Sequence, residues 1–159
     1  MTNIDQTQTQ QPAPRRAVLG LSIIAIIGLA LLAAPRVVLH DLGLITEETL
    51  LNAVFVFIPP AVWIAVVLIK RVPKPFLTLL VVGAFYGVFL ALGHQLLWDA
   101  SFRGNPPRLG GNLTNLDPGI QSVILRSFAA VSSMFTGVIV GAITGLIAWG
   151  LNAFTRRAR

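Results

Sequence analysis

The chain has 159 residues, 55% of them hydrophobic and only 11% charged, with a formal net charge of +6. Soluble domains carry about a quarter charged residues, and a soluble fold of this length has too little interior to hide so much apolar surface. There is no cysteine, which excludes disulfides, thiolate metal sites and thiol nucleophiles. The cations stand at the ends of apolar runs, where they orient membrane helices; they do not trace a nucleic-acid footprint.

Residues 1–14 are rich in Gln, Thr and Pro and nearly devoid of apolar side chains, so the sequence predicts a disordered tail. Arg15-Arg16 then opens the first apolar run, from about Ala17 to Leu39. The arginine pair is the shape of an export signal, and Ala33-Ala34 that of a cleavage site. Leu32 is too large for the −3 position, Pro35 follows directly, and three more spans come after, so no cleavage is expected. Thr46 followed by Glu47 and Glu48 is read as a helix N-cap with acids in the first turn, leading into the second span, residues 50–69.

Pro59-Pro60 stands in the middle of that span. Two prolines remove two backbone donors and crowd the preceding turn, so the helix is expected to kink or break near Ile58. Val72-Pro73-Lys74-Pro75 makes a rigid turn into the third span, residues 76–98, which makes the two spans antiparallel neighbours. The segment 99–117 is an outer loop whose Gly104-Asn105-Pro106-Pro107 and Leu109-Gly110-Gly111-Asn112 clusters oppose regular structure. Asp117-Pro118 reads as N-cap and first residue of a helix. A single helix from Pro118 to Phe154 would be about 55 Å long at 1.5 Å per residue. A short interfacial helix over 118–125, bending near Arg126 into a fourth span at 127–151, is therefore expected. Residues 156–159 are a basic end.

The charges orient the whole. Arg15, Arg16, Lys70, Arg71, Lys74, Arg156, Arg157 and Arg159 share one side with Asp5, eight cations against one acid, a net +7. Arg36, Arg103, Arg108 and Arg126 share the other with Asp41, Glu47, Glu48, Asp99 and Asp117, four against five, a net −1. Positive loops stay in the cytoplasm. The sequence thus predicts an all-α integral membrane protein, a four-transmembrane-helix bundle in the cell (cytoplasmic) membrane with both termini inside.

Helix packing is written in small residues. Ala129, Ser133, Gly137, Gly141 and Gly145 recur every fourth residue in span four, and Gly83, Gly87 and Ala91 do so in span three. Within lipid, close backbone approach replaces the hydrophobic drive between helices. The simplest expectation packs these two stripes together in one subunit; packing between copies, or a glycine-lined path, are the alternatives. Ala148 is placed off the stripe. Trp98 and Trp149 suit the interfacial aromatic belts, and Trp63, beside the prolines, is expected to wedge between helices.

One cluster has chemical interest. Arg36, His40, Asp41, His94 and Asp99 should lie at similar depth near the outer surface, with Gln95, Arg103, Glu47 and Glu48 close by. The bland account is helix ends meeting water, with Arg36 snorkelling to headgroups. The sharper accounts are an outer site for a small polar solute, lipid headgroup or partner, and a metal site from His40, Asp41, His94 and Asp99. That spacing matches no metal-binding pattern, and no cofactor motif is present. No family is assigned: span one lacks the buried acid of the small multidrug exporters, and the facing aspartates of lipoprotein signal peptidases have no counterpart. The expectation is a non-enzymatic accessory or assembly subunit whose partners are the bilayer and a membrane protein or its own copies. A small transporter or channel component is the alternative, and a membrane enzyme using His94 with Asp99 the third.

Overall fold

The computed structural model describes residues 19–157, so the expected tail over 1–14 and the Arg15-Arg16 flank lie outside the described residues. The described chain is helical: α1 (Ile23–Leu31), α2 (Ala34–Asp41), α3 (Leu50–Ile69), α4 (Pro75–Leu96), α5 (Trp98–Phe102), a single 3-10 turn at Gly111–Leu113, and α6 (Pro118–Arg157). Four helices are long and apolar enough to cross a membrane: α1 and α2 taken together, α3, α4 and α6.

The first span is not one helix, as the sequence reading had it. Ser22 caps α1, its hydroxyl accepting from the Ala25 amide at 3.2 Å. The break follows from Pro35, which has no N–H to offer the Leu31 carbonyl and crowds the turn before it. Ala33 N bonds to Ala30 O at 3.2 Å, an i→i+3 closure. That leaves Leu29 O without its usual i+4 donor and with only the i+3 amide of Leu32, at 3.2 Å. The Trp63 indole takes the place, donating to Leu29 O at 2.7 Å. Trp63 is wholly buried, edge-on to Tyr86 with ring centroids 5.9 Å apart.

The cap of α3 also differs from expectation. Thr49, not Thr46, accepts from the Asn52 amide at 3.2 Å. Thr46 and Thr49 close a turn, with the Thr49 hydroxyl donating to Thr46 O at 2.8 Å, and Glu47 and Glu48 fall before the helix. Pro59 and Pro60 do not break α3, which continues through them.

The tightest helix pair is α4 with α6. A methyl group at Gly83 would strike Gly137 O and the Gly141 backbone, and one at Gly137 would strike Gly83 O and Gly87. One at Gly145 would meet Phe76 O at 2.9 Å. Gly87 faces Ser133 and Met134. Ser133, buried, donates to Ala129 O at 2.8 Å and so brings no unsatisfied group into the contact. Ala148 is fully buried in the core with Leu79 and Val82, contrary to its placement off the stripe. It lies seven residues beyond Gly141, two turns along the same face.

Helix α6 is 40 residues long and unbroken, about 60 Å at 1.5 Å per residue. Residues 118–125 are thus part of the same helix as the fourth span, and residues 120–136 contain neither proline nor glycine to interrupt the backbone ladder. The segment 99–117 holds more regular structure than its composition suggests, in α5 and the 3-10 turn. Gln121 organises it, accepting from Leu109 N at 3.1 Å and donating to Thr114 O at 3.2 Å and Leu116 O at 2.9 Å. Trp98 is buried rather than placed in an interfacial belt, whereas Trp149 is 59% exposed.

Candidate functional site

Asp41 ends α2 with its carboxylate almost fully buried. His94, in the last turn of α4, places Nδ1 2.7 Å from Asp41 Oδ2. His40 places Nδ1 3.4 Å from the other oxygen, Oδ1, and its Nε2 3.7 Å from Glu47. A buried carboxylate is costly unless its oxygens are satisfied, and here each has an imidazole. An ionised carboxylate only accepts, so in that state the short bond takes its proton from His94 Nδ1, and Nε2 is the ring's other position.

Arg36 belongs to a different network. Its Nε donates to Asn52 Oδ1 at 3.0 Å, and Asn52 Nδ2 donates to Glu47 O at 2.9 Å. Its guanidinium also lies beside the Tyr86 hydroxyl. No carboxylate pairs with Arg36 among the described residues. Neutral acceptors therefore hold it, which ties α2 to α3 and α4.

Asp99 is apart from both. Its side chain is 91% exposed and 3.9 Å from Arg126 Nη2. Arg126 stacks 4.8 Å over the Trp98 ring and donates to Gln95 O at 3.3 Å, while Gln95 Nε2 returns a bond to Arg126 O at 3.0 Å. Of the five residues singled out in sequence, the fold joins His40, Asp41 and His94. It sends Arg36 to Asn52 and Asp99 to Arg126. The four residues weighed as a metal site do not converge, and no other metal-holding group of His, Asp and Glu occurs among the described residues.

Asn52 is the residue that sequence reading missed. The signal was present: it is the one amide in the apolar run 50–69, at a depth shared with Arg36 on the preceding span. Beside the His94–Asp41 pair, between α2, α4, α5 and α6, lies a groove of about 430 Å³. His40, Asp41 and His94 form its polar end, Trp98, Phe102 and Phe128 its aromatic wall, and Ser132, Ser133 and Thr136 a row of hydroxyls along α6. Comparison with protein-family models, with curated proteins and with solved structures finds no match for this chain.

Proposed function

We propose that this chain is a non-enzymatic accessory or assembly subunit of a membrane complex. In this reading it sits in the cytoplasmic membrane with both termini inside, as its loop charges favour. The observation that carries the proposal is the length of the apolar face of α6. Large apolar side chains stand exposed along it from Ile120, 51% exposed, to Phe154, 74% exposed, with Val123, Phe128, Phe135, Ile143 and Leu146 between. That stretch is roughly 50 Å long at 1.5 Å per residue, against a hydrocarbon core of about 30 Å. Ordinary helix tilts of about 20° do not absorb the difference. Apolar surface beyond the reach of lipid is best covered by protein.

The small-residue stripe of α6 is already occupied by α4, which makes it the glue within the subunit and leaves the bulky face for the partner. Pro59-Pro60 adds flexure to α3: neither residue can donate to the carbonyls of Phe55 and Val56, so that helix bends there more easily than its neighbours.

The test is purification of the tagged full chain from its own membranes in mild detergent. A stoichiometric membrane partner, lost on Phe135→Ala with the chain's own melting temperature kept, is the expected result. Recovery of a solitary monomer from both versions overturns the proposal.

A further inference from the structure

We infer that the groove beside His94 binds a membrane lipid whose headgroup carries a hydrogen-bond-donating ammonium. Four features of the groove point to this chemistry, independently of the subunit role proposed above.

The first is the direction of its polar groups. His94 Nδ1 lies 2.7 Å from Asp41 Oδ2, and in the neutral tautomer that gives Nδ1–H to this carboxylate, Nε2 is an acceptor. Ser133 and Thr136 spend their protons on Ala129 O at 2.8 Å and Ser132 O at 3.0 Å, which leaves both hydroxyl oxygens as acceptors too. Ser101 and Ser132 add hydroxyls that can donate or accept, so the fixed acceptors and the Asp41 carboxylate tilt the groove toward a ligand that donates.

The second is fixed charge. Asp41 lines the groove, and Glu47 stands 3.7 Å behind His40. The nearby cations are engaged elsewhere, Arg36 with Asn52 and Arg126 over Trp98 beside Gln95 and Asp99. An anionic head would meet a buried carboxylate at close range, whereas an ammonium is attracted to it. Phe102 and Phe128 add aromatic rings to the lining, which a cation tolerates well.

The third is placement. His94 lies in the last turn of α4 and Asp41 at the end of α2, where a span meets the headgroup zone. From Phe128 to Thr136 the groove then follows α6 for eight residues, about 12 Å of helix. A polar end at the membrane boundary with a flank running into the leaflet matches an amphiphile rather than a free solute.

The fourth is access. Phe128 is 73% exposed at the groove's edge, so the groove opens sideways toward lipid and can be filled without unfolding.

The experiment uses the full chain in mild detergent and two lipids with identical acyl chains, phosphatidylethanolamine and its N-trimethylated counterpart phosphatidylcholine. They share charge and phosphate but differ in ammonium donors. Saturating phosphatidylethanolamine should raise Tm by about 5–10 °C, and phosphatidylcholine by much less. Ser132→Trp, which fills the groove from an exposed position, and His94→Phe, which removes the acceptor, should each abolish the difference. The lipid-free Tm of Ser132→Trp should stay that of the parent, which separates loss of binding from misfolding. Equal shifts from the two lipids, a larger shift from phosphatidylglycerol, or selectivity surviving in Ser132→Trp would each overturn the inference.

Discussion

The Trp63 indole caps the Leu29 carbonyl across 34 residues of sequence, at 2.7 Å, where the break between α1 and α2 leaves that carbonyl only the i+3 amide of Leu32, at 3.2 Å. The bond joins the α1–α2 break to the wall of α3 just past Pro59-Pro60, so two weakened places in the backbone support each other. Trp63→Phe keeps a buried ring but loses the donor and some volume. It should lower stability in detergent by about 1–3 kcal/mol. A change below about 0.5 kcal/mol would mean that the carbonyl finds water or another donor instead.

Gly137 is the point of closest approach between α4 and α6, because a side chain there meets Gly83 O and the Gly87 backbone. Backbone cannot swing aside as a side chain can, so Gly137→Leu should destabilise by about 3 kcal/mol or more. Gly150, in the same helix with nothing within 4 Å of an added methyl, is the matched control. Gly150→Leu should melt with the parent chain. Similar melting of both variants would show that the two helices separate freely in solution.

Arg36 and His94 sit on networks that share no bond. Residues within one network show coupling of about 0.5–3 kcal/mol, while unconnected ones add. A double-mutant cycle on Arg36→Ala and Asn52→Ala should therefore give a clear interaction energy, and a cycle on Arg36→Ala and His94→Ala close to none. Arg36→Lys should also be costly, because Lys lacks the Nε–H that Asn52 Oδ1 accepts at 3.0 Å. A silent Arg36→Lys would return that residue to a role at the lipid surface alone.

Gln121 holds the outer loop through three hydrogen bonds to backbone groups at Leu109, Thr114 and Leu116. Gln121→Leu retains the bulk but strands those groups. Cleavage by an added protease between Gly104 and Gly111 should become markedly faster, with the spans unaffected. An unchanged cleavage rate would place the loop's order elsewhere.

The orientation has its own test, made clean by the absence of cysteine. In intact cells a cysteine at Asn112 should react with an impermeant thiol reagent, and one at Lys74 should not. Labelling of Lys74→Cys from outside would invert or discard the proposed topology.

What the sequence determined by itself was that four stretches of the chain are long and apolar enough to cross a membrane. That property is local: about 20 consecutive apolar residues suffice for a span, whatever lies elsewhere in the chain. The boundaries of α3 and α4 were legible for the same reason, and so were the small residues facing one another across α4 and α6. The tertiary structure decided the rest. Pro35 was visible, but the bond from the Trp63 indole to the Leu29 carbonyl at the end of α1 comes from another helix and was not. Arg36, His94 and Asp99 were grouped by depth alone, and depth does not say which way a side chain turns. Asn52, Asp41 and Arg126, each from another part of the chain, divided them among three networks. A buried polar atom takes the partner that packing brings within about 3 Å, and that partner is not written in the residues next to it.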